Sequence, residues 1–442
     1  MKAGALPKPE RVNQVWLDDA SAAHEAYLQG RPGGQRLFLS FKDARHLDFS
    51  GRNLATVEMV AAELGHAKFA AACLARGNLF GANLEHADMP ACDLSRADLR
   101  GANLSGADLE KADLHEADIR NGFILVQDKD GNLVPIKDGV AQIRDVNLSG
   151  ANLSSALMGR IVGPRTNLTN ANFRNARLVA ANLSDSDVRG AIFTGADLTD
   201  ANLSGCVFQG AMLSGAILNN TNLDGADLTA AHFLPADLRY AHTHNLRLPK
   251  DVERLDKTIV EIIADHARWI GSLGREGNQA DLSRVDLQNL DFSGVDLQAA
   301  VLSLANVSYG QLRAARLIMA NLAGVLGLEA DLSDADLRGA RLDGANLTGA
   351  SLRCARLGPM TLIGVVDHTV NASLKDTKLN RADLSNADLE AVDFTRASLC
   401  NANLKDARVH NARFLDADLT GADLRGTAME KADMRGAVGA RF

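Results

Sequence analysis

Aromatic side chains are scarce in this sequence. They make up 4 % of 442 residues, with two Trp and three Tyr. A core built around large rings is therefore excluded, and the 46 % apolar content comes mostly from Ala and Leu. An ordinary globular interior draws more evenly on Val, Ile and Phe. Cysteine is scarce too. Cys73, Cys92, Cys206, Cys354 and Cys400 form no CxxC pair and are odd in number. That excludes a disulfide framework or a Cys-rich zinc site, and fits a reducing compartment. No run approaches the roughly 18 apolar residues of a membrane span. The opening stretch, MKAGALPKPERVNQ, lacks an apolar signal core, so a cytoplasmic chain is expected.

Neither sign of charge dominates. The chain has 47 basic and 55 acidic residues, a net −8. This excludes a nucleic-acid binder that works by neutralising phosphates, and gives no pull toward anionic membranes. Catalytic motifs are missing as well, with no GxSxG or HExxH. Gly30-Arg31-Pro32-Gly33-Gly34 and Gly274-Arg275-Glu276-Gly277 lack the GK(S/T) ending of a phosphate loop and read as helix stops. No catalytic residue, cofactor or metal is expected, and the chain reads as a non-enzyme.

What the sequence has in abundance is a repeat. From Gly77 it runs GNLFG ANLEH ADMPA CDLSR ADLRG ANLSG ADLEK ADLHE ADIRN. Every fifth residue is Leu, Met or Ile, and the residue two before it is usually Ala, as at Ala82, Ala87, Ala97, Ala102, Ala107, Ala112 and Ala117. The register continues in four runs: Leu39 to Ile119, Leu148 to Leu238, Leu282 to Leu362 and Leu374 to Met434, with Ala44, Gly163 and Gly327 as exceptions. A period of five suits neither regular element. On a helix, five residues turn about 500°, so the apolar centres drift around the axis. On a straight strand, an odd step puts successive centres on opposite faces. The chain must therefore turn a corner in every unit. Central Phe residues recur 20 apart, at Phe49 and Phe69, Phe173 and Phe193, Phe394 and Phe414, and so do His46, His66 and His86. Four units per coil fit that spacing.

Blocks such as ANLSG (102–106), ADLRG (335–339) and ANLTG (345–349) resemble the A(D/N)LXX unit of the pentapeptide-repeat family. The resemblance implies an all-β fold, a right-handed quadrilateral β-solenoid. It implies that each centre and the small residue two before it point inward while the other three point outward. Cys92 and Cys206 occupy small inward slots and read as core residues.

A second level of repetition surrounds the first. His24-Glu25-Ala26-Tyr27 leads to LDFSG at 47–51, and His266-Ala267-Arg268-Trp269 leads to LDFSG at 290–294. The chain thus reads as two tandem copies of helix, repeats, insertion and repeats. The expected organisation is an N-terminal helical cap over 1–35, solenoid over 36–120, a β-hairpin insertion over 121–146, and solenoid over 147–246. An amphipathic helix and junction follow over 247–277, then solenoid over 278–364, a short insertion over 365–373, and solenoid over 374–442. The second helix has an apolar face of Val252, Leu255, Ile259, Ile262, Ile263, His266, Trp269 and Ile270. The first has Val12, Val15, Trp16, Ala23, Tyr27 and Leu28. Both are expected to cover open solenoid ends.

Candidate contact residues follow from charge and from the chain end. Residues 79–120 hold the densest charge, and Asp88/Asp108, Asp93/Asp113 and Asp98/Asp118 should stack as carboxylate pairs that attract cations or a basic protein partner. His46, His66 and His86 should form an outward column, and His242 and His244 make an HxH pair; neither has the ligand set of a metal site. Met429, Met434, Val438 and Phe442 are expected to form an exposed apolar end suited to homodimerisation. The leading expectation is a non-enzymatic protein-interaction scaffold with an unidentified protein partner. The resemblance adds an alternative, because some members of the family resemble duplex DNA in shape and charge and protect bacterial DNA gyrase. That reading needs a sustained anionic surface, whereas acids and bases balance over 374–442. Flat Thr arrays of an ice-binding solenoid are not present. The register itself is testable: Ala107→Arg forces a charge into the bore, so it should lower the melting temperature and the β-signal in circular dichroism.

Overall fold

The structure, a computed structural model, describes residues 9–123, 125–127, 133–135, 140–233, 235–362 and 368–440. The chain divides into two compact units, Met1–Arg247 and Leu248–Phe442, and each is described by itself.

In unit 1 the five-residue unit resolves into a short extended stretch and a tight corner. The corner has one repeated hydrogen bond: the inner small residue donates its N–H to the carbonyl of the preceding centre, as Ala87 does to Leu84 (3.0 Å). The residue before that donor has a positive φ, 55° at His86 and 67° at Gly101. A positive φ at the third residue of a hydrogen-bonded four-residue turn is the type II pattern. Glycine fits there without strain. The extended stretch pairs with the next coil. Leu84 donates to the carbonyl of Asn103 (2.8 Å), and Asn103 donates to that of Ala82 (3.0 Å). Consecutive units make four separate parallel ladders, each joining residues 20 apart: Asn83 to Asn103, Asp88 to Asp108, Asp93 to Asp113, Asp98 to Asp118. The result is a β-solenoid with four units to each coil.

Both inward positions fill one narrow core. Centres and small residues alike are almost wholly buried, and Cys92 and Cys206 are 0 % exposed in their small slots. Burial pushes the Cys206 thiol up to about 12. Phe rings stack along the bore at centroid separations of 4.4 Å (Phe49 and Phe69) and 4.9 Å (Phe173 and Phe193). Polar intruders are satisfied by the coil before them: Thr166 donates to the carbonyl of Ile143 (2.7 Å) and Thr221 to that of Leu198 (2.8 Å). The exception at Gly163 has a steric cause, because a Cβ there would lie 2.2 Å from Cγ1 of Ile143.

Helix α1 (Gln14–Leu28) starts at Asn13, whose side chain accepts the N–H of Trp16. It follows β1 (Glu10–Arg11), which pairs in parallel with β2 (Lys42–Asp43) on the first coil. Of the apolar face expected for the first helix, Val12 is buried just before α1, but within α1 the buried face is a different one. Leu17, Ser21 and His24 are buried, while Val15 is 70 % exposed and Trp16 and Tyr27 also face water. The insertion forms a two-stranded antiparallel hairpin, β3 (Leu125–Gln127) with β4 (Leu133–Pro135). The turn expected at Asp128 to Asn132 lies outside the described residues. The ladders step straight across this excursion, from Asn103 to Gln142, Asp108 to Asn147 and Asp113 to Asn152.

Unit 2 repeats the scheme. Helix α2 (Ile259–Gly271) has a full capping box between Thr258 and Glu261, and Val252, Leu255, Ile259, Ile262 and Ile263 pack on the coil core as expected. The ladders start with Asp281 to Val301, and Phe394 stacks on Phe414 at 4.9 Å. One expectation fails: Leu362 is not a solenoid centre. It lies in β5 (Met360–Leu362), paired antiparallel with β6 (His368–Val370), and the ladder passes from Arg341 to Ser373. The coil therefore leaves its register after Leu357, one unit earlier than the apolar spacing implies. Gly327 again makes room, since a Cβ there would meet Leu347 at 2.9 Å. Truncating one wholly buried centre, Leu114→Ala, should cost about 2–5 kcal/mol of stability, read as a lower denaturant midpoint.

Candidate interaction surface

The outward residue before each centre is usually Asp or Asn, and its side chain has a local task. Its Oδ1 accepts the backbone N–H two residues on, inside the corner: Asp93 from Ser95 (2.9 Å), Asp108 from Glu110 (3.1 Å), Asp113 from His115 (3.0 Å). Ser154 bonds to Asn152 in the same way (3.3 Å). Side chains also bond from coil to coil. Asn147 donates to Asp108 (2.8 Å) and Asn152 to Asp113 (2.9 Å), so these amides knit the coil across the insertion.

The six expected contact carboxylates do meet in three ladders, Asp88 with Asp108, Asp93 with Asp113 and Asp98 with Asp118. Five of them are half-buried and engaged in such corners. Asp88 differs. It is exposed, and the residue two on is Pro90, which has no N–H to give. The bases nearby are also committed. Arg100 binds Asp98 (2.6 Å), Arg120 binds Asp118 (2.7 Å), Arg96 binds Glu116 (2.7 Å) and Lys111 binds Glu110 (3.4 Å). The four bases of 79–120 thus pair with four of its nine acids.

The Asp-x-Arg fork recurs in both units, at Asp43–Arg45, Asp187–Arg189, Asp336–Arg338, Asp423–Arg425 and Asp433–Arg435. Its geometry comes from the corner, which folds the residue after the centre back over the residue before it. Bidentate guanidinium contact is strong for a carboxylate, and the Arg45 guanidinium holds Asp43 down to about 2. Arg425 does the same to Asp423. The signal for this pairing, Asp-x-Arg about an apolar centre, is plain in the sequence, and charge counting alone overlooks it. In unit 2 one ladder alternates in sign through Asp296, Arg316, Asp336, Arg356, Asp388 and Arg408.

The histidine column forms as expected. His46, His66 and His86 stack at 5.1 and 5.2 Å with nearly parallel rings. Parallel rings set their nitrogens side by side and not toward a common point. Among the described residues no group of three or more His, Cys, Asp or Glu is arranged to hold a metal ion. His242 bonds instead to Asn220 (2.7 Å), and the His244 backbone to Asp224 (2.8 Å). At the far end, Met429 is buried within the last coil, Met434 is half-buried, Val438 is exposed and Phe442 lies outside the described residues. Shallow grooves mark the surface of the described residues. One of about 320 Å³ in unit 2 is lined by Arg313, Asp331, Ser333, Asp334, Arg353 and Cys354. Another of about 240 Å³ sits at the root of the first insertion, among Gly81, Asn83, Gly101, Asn103, Val140 and Gln142. Among the described residues no helix is long and apolar enough to cross a membrane.

A family model described as pentapeptide repeats (8 copies) matches residues 78–115, 141–178, 165–195, 191–229, 206–242, 280–325, 329–358, 370–406 and 402–438, more than half of the chain. No curated protein matches it. Among solved structures the chain is similar to HetL, a pentapeptide repeat protein involved in heterocyst differentiation regulation from the cyanobacterium Nostoc sp. strain PCC 7120. The identity is 24 % and the TM-score 0.23, over 68 % of this chain and 91 % of that one. It is also similar to QnrB1, a plasmid-mediated fluoroquinolone resistance protein, at 20 % identity and a TM-score of 0.28, over 48 % of this chain and 87 % of that one. Rfr23 from the cyanobacterium Cyanothece 51142 gives 24 % identity and a TM-score of 0.12, over 33 % and 86 %.

The fork makes a direct pH prediction. Asp43 has a folded pKa of about 2, below the unfolded value of about 3.9. Its contribution to stability is complete above the unfolded value and is lost as pH falls toward the folded one. Arg45→Gln should raise the Asp43 titration midpoint toward 3.9, read by carboxyl carbon NMR.

Proposed function

The chain belongs to the pentapeptide-repeat family, and from that premise we propose that it is a non-enzymatic scaffold for protein interactions. The observation that carries this reading is the continuity of the ladders beneath both insertions. A coil that keeps its hydrogen bonds while releasing a hairpin holds that hairpin at a defined place on a stiff support. Such a design displays contacts; it does not enclose a substrate. Asp88, the exposed member of the six carboxylates, adds a charge for a basic protein partner on the same unit. The five unpaired cysteines support a reducing compartment such as the cytoplasm.

The DNA-mimic reading has less support. A mimic of duplex DNA needs rows of carboxylates facing solvent, and here many are closed into Asp-x-Arg forks or corner hydrogen bonds. The chain is expected to leave the supercoiling activity of DNA gyrase unchanged and to give no protection against quinolones.

The scaffold reading is tested by replacing residues 123–139 with a short Gly-Ser link and comparing captured partners with those of the full chain. The bonds from Asp108 to Asn147 and from Asp113 to Asn152 should keep the coil folded. Loss of a specific partner, with an unchanged melting temperature, is the expected outcome. Recovery of the same partners by both chains would place recognition elsewhere.

A further inference from the structure

Each unit begins its coil against a helix, and each helix commits one buried histidine to that contact. In a regular coil the inner small residue donates back to the previous corner, as Val57 does to Leu54 (3.1 Å). The carbonyl just after a centre accepts from the coil before it, as Ala75 does from Thr56 (2.8 Å). The first coil of a unit has no earlier corner and no earlier coil, so a row of donors and acceptors would be left over, among them the N–H that opens the coil and the carbonyl after its fourth centre.

His24 supplies these two partners in unit 1. Its Nδ1 accepts the N–H of Leu37 (3.0 Å), and its Nε2 lies 3.0 Å from the carbonyl of Ala55. Leu37 opens the first coil and Ala55 follows its fourth centre, so the ring closes that coil on itself. His266 occupies the same place in unit 2. Its Nδ1 accepts the N–H of Ala280 (3.0 Å), and the carbonyl of Gln298, which follows the fourth centre Leu297, is the acceptor that acts on it. No partner among the described residues meets full hydrogen-bond geometry at His266 Nε2. Both histidines are 0 % exposed. Neighbouring side chains follow the same plan: Arg36 donates to the carbonyl of Thr56 (2.5 Å), and Gln279 to that of Ala299 (2.6 Å). An Nδ1 that accepts a backbone N–H carries no proton of its own, so each ring is neutral with its proton on Nε2.

We propose that His24 and His266 are acid-operated latches: a second proton sets an Nδ1–H against the N–H of Leu37 or Ala280 and releases α1 or α2 from its coil. Released, the helix uncovers the apolar first coil and its unpaired backbone, the kind of edge that other strands join.

The surroundings favour the neutral ring. Burial lowers the pKa of both histidines. At His24 the facing groups are the Tyr27 ring, stacked at 5.9 Å, and the Arg36 guanidinium, which opposes a positive charge and is itself paired with Glu58. At His266 they are the Trp269 ring, stacked at 5.6 Å, and the Asp296 carboxylate, which favours the charge and is paired with Arg316. The folded pKa lies below the unfolded value of about 6.5, so the latch is fully closed above that value and is lost as pH falls below it.

The chain carries its own reporters, because its two tryptophans are Trp16 on α1 and Trp269 on α2. In Trp269→Phe and Trp16→Phe chains, emission from the remaining Trp is followed from about pH 8 to 5, the range in which histidine titrates. Each should show a reversible emission change as its helix detaches, a red shift at Trp269 and, at the already exposed Trp16, the change that follows loss of the Lys42 ammonium 5.8 Å from its ring, while the far-UV signal of the coil persists. His24→Gln, whose amide keeps an acceptor and a donor but no titration, should abolish the α1 change and leave that of α2. His266→Gln should do the reverse. A change that survives its own Gln substitution overturns the proposal. A check free of variants is the imidazole nitrogen NMR spectrum of the intact chain. It should show two Nε2-protonated neutral rings whose titration coincides with the emission change. Rings that titrate with no change in emission contradict the latch.

Discussion

One short hydrogen bond governs this molecule: the corner bond from each inner small residue to the carbonyl of the preceding centre. It repeats in unit after unit of both halves. In its type II form the corner takes a positive φ at the residue just before the donor, which accounts for the long series of glycines and of non-glycine residues held near 50–65°. Non-glycine residues in that region carry a strain of about 1–2 kcal/mol, which the ladder bonds on either side of the corner must outweigh. Because the corner consumes two outward positions, only one residue per unit is left to form each ladder, and no long strand can develop. The bore is correspondingly narrow, so it admits a medium side chain at the centre and a small one two residues before it. The composition follows from that geometry.

The corner also shapes the surface. It brings the residue after a centre back over the residue before it, so Asp or Asn in that place bonds the corner and an Arg two residues later closes on the carboxylate. Charge is therefore met within a unit by the fork, and between coils by pairs such as Arg96 with Glu116 and Arg316 with Asp296. A surface so organised is regular and mixed in sign, which suits a support for displayed segments better than an imitation of a polyanion. The hairpin of β3 and β4 and that of β5 and β6 both leave such a corner and return to it without breaking the ladder beneath.

Much of the fold was legible because the five-residue period cannot be satisfied by a helix or a flat strand. The buried places of Cys92 and Cys206 followed from their slots, and the Phe and His stacks from recurrence at 20. The buried face of α1 was not legible. Apolar spacing selects Val15, Trp16 and Tyr27, but the coil end it meets is a set of backbone donors and acceptors, so His24, which bonds Leu37 and Ala55, faces inward with Leu17 and Ser21. Leu362 misled for a related reason: its spacing is right, but the chain has already left the coil after Leu357. At the candidate surface, the stacking of six aspartates could be read from their numbers. Their engagement could not be read from charge counts, since it depends on the corner hydrogen bond and on the arginine two residues on.

The solenoid requires each coil to stay hydrogen-bonded in register beneath its insertion. Residue-resolved amide exchange on the intact chain tests it most directly. The N–H groups of Leu104, Leu109, Leu114 and Ile119 bond across the insertion to Gln142, Asn147, Asn152 and Leu157. Their protection should match that at Leu84, Met89 and Leu94, which bond to Asn103, Asp108 and Asp113 within the uninterrupted coil. A marked loss of protection confined to the first four would show that the insertion breaks the solenoid, and would contradict the account.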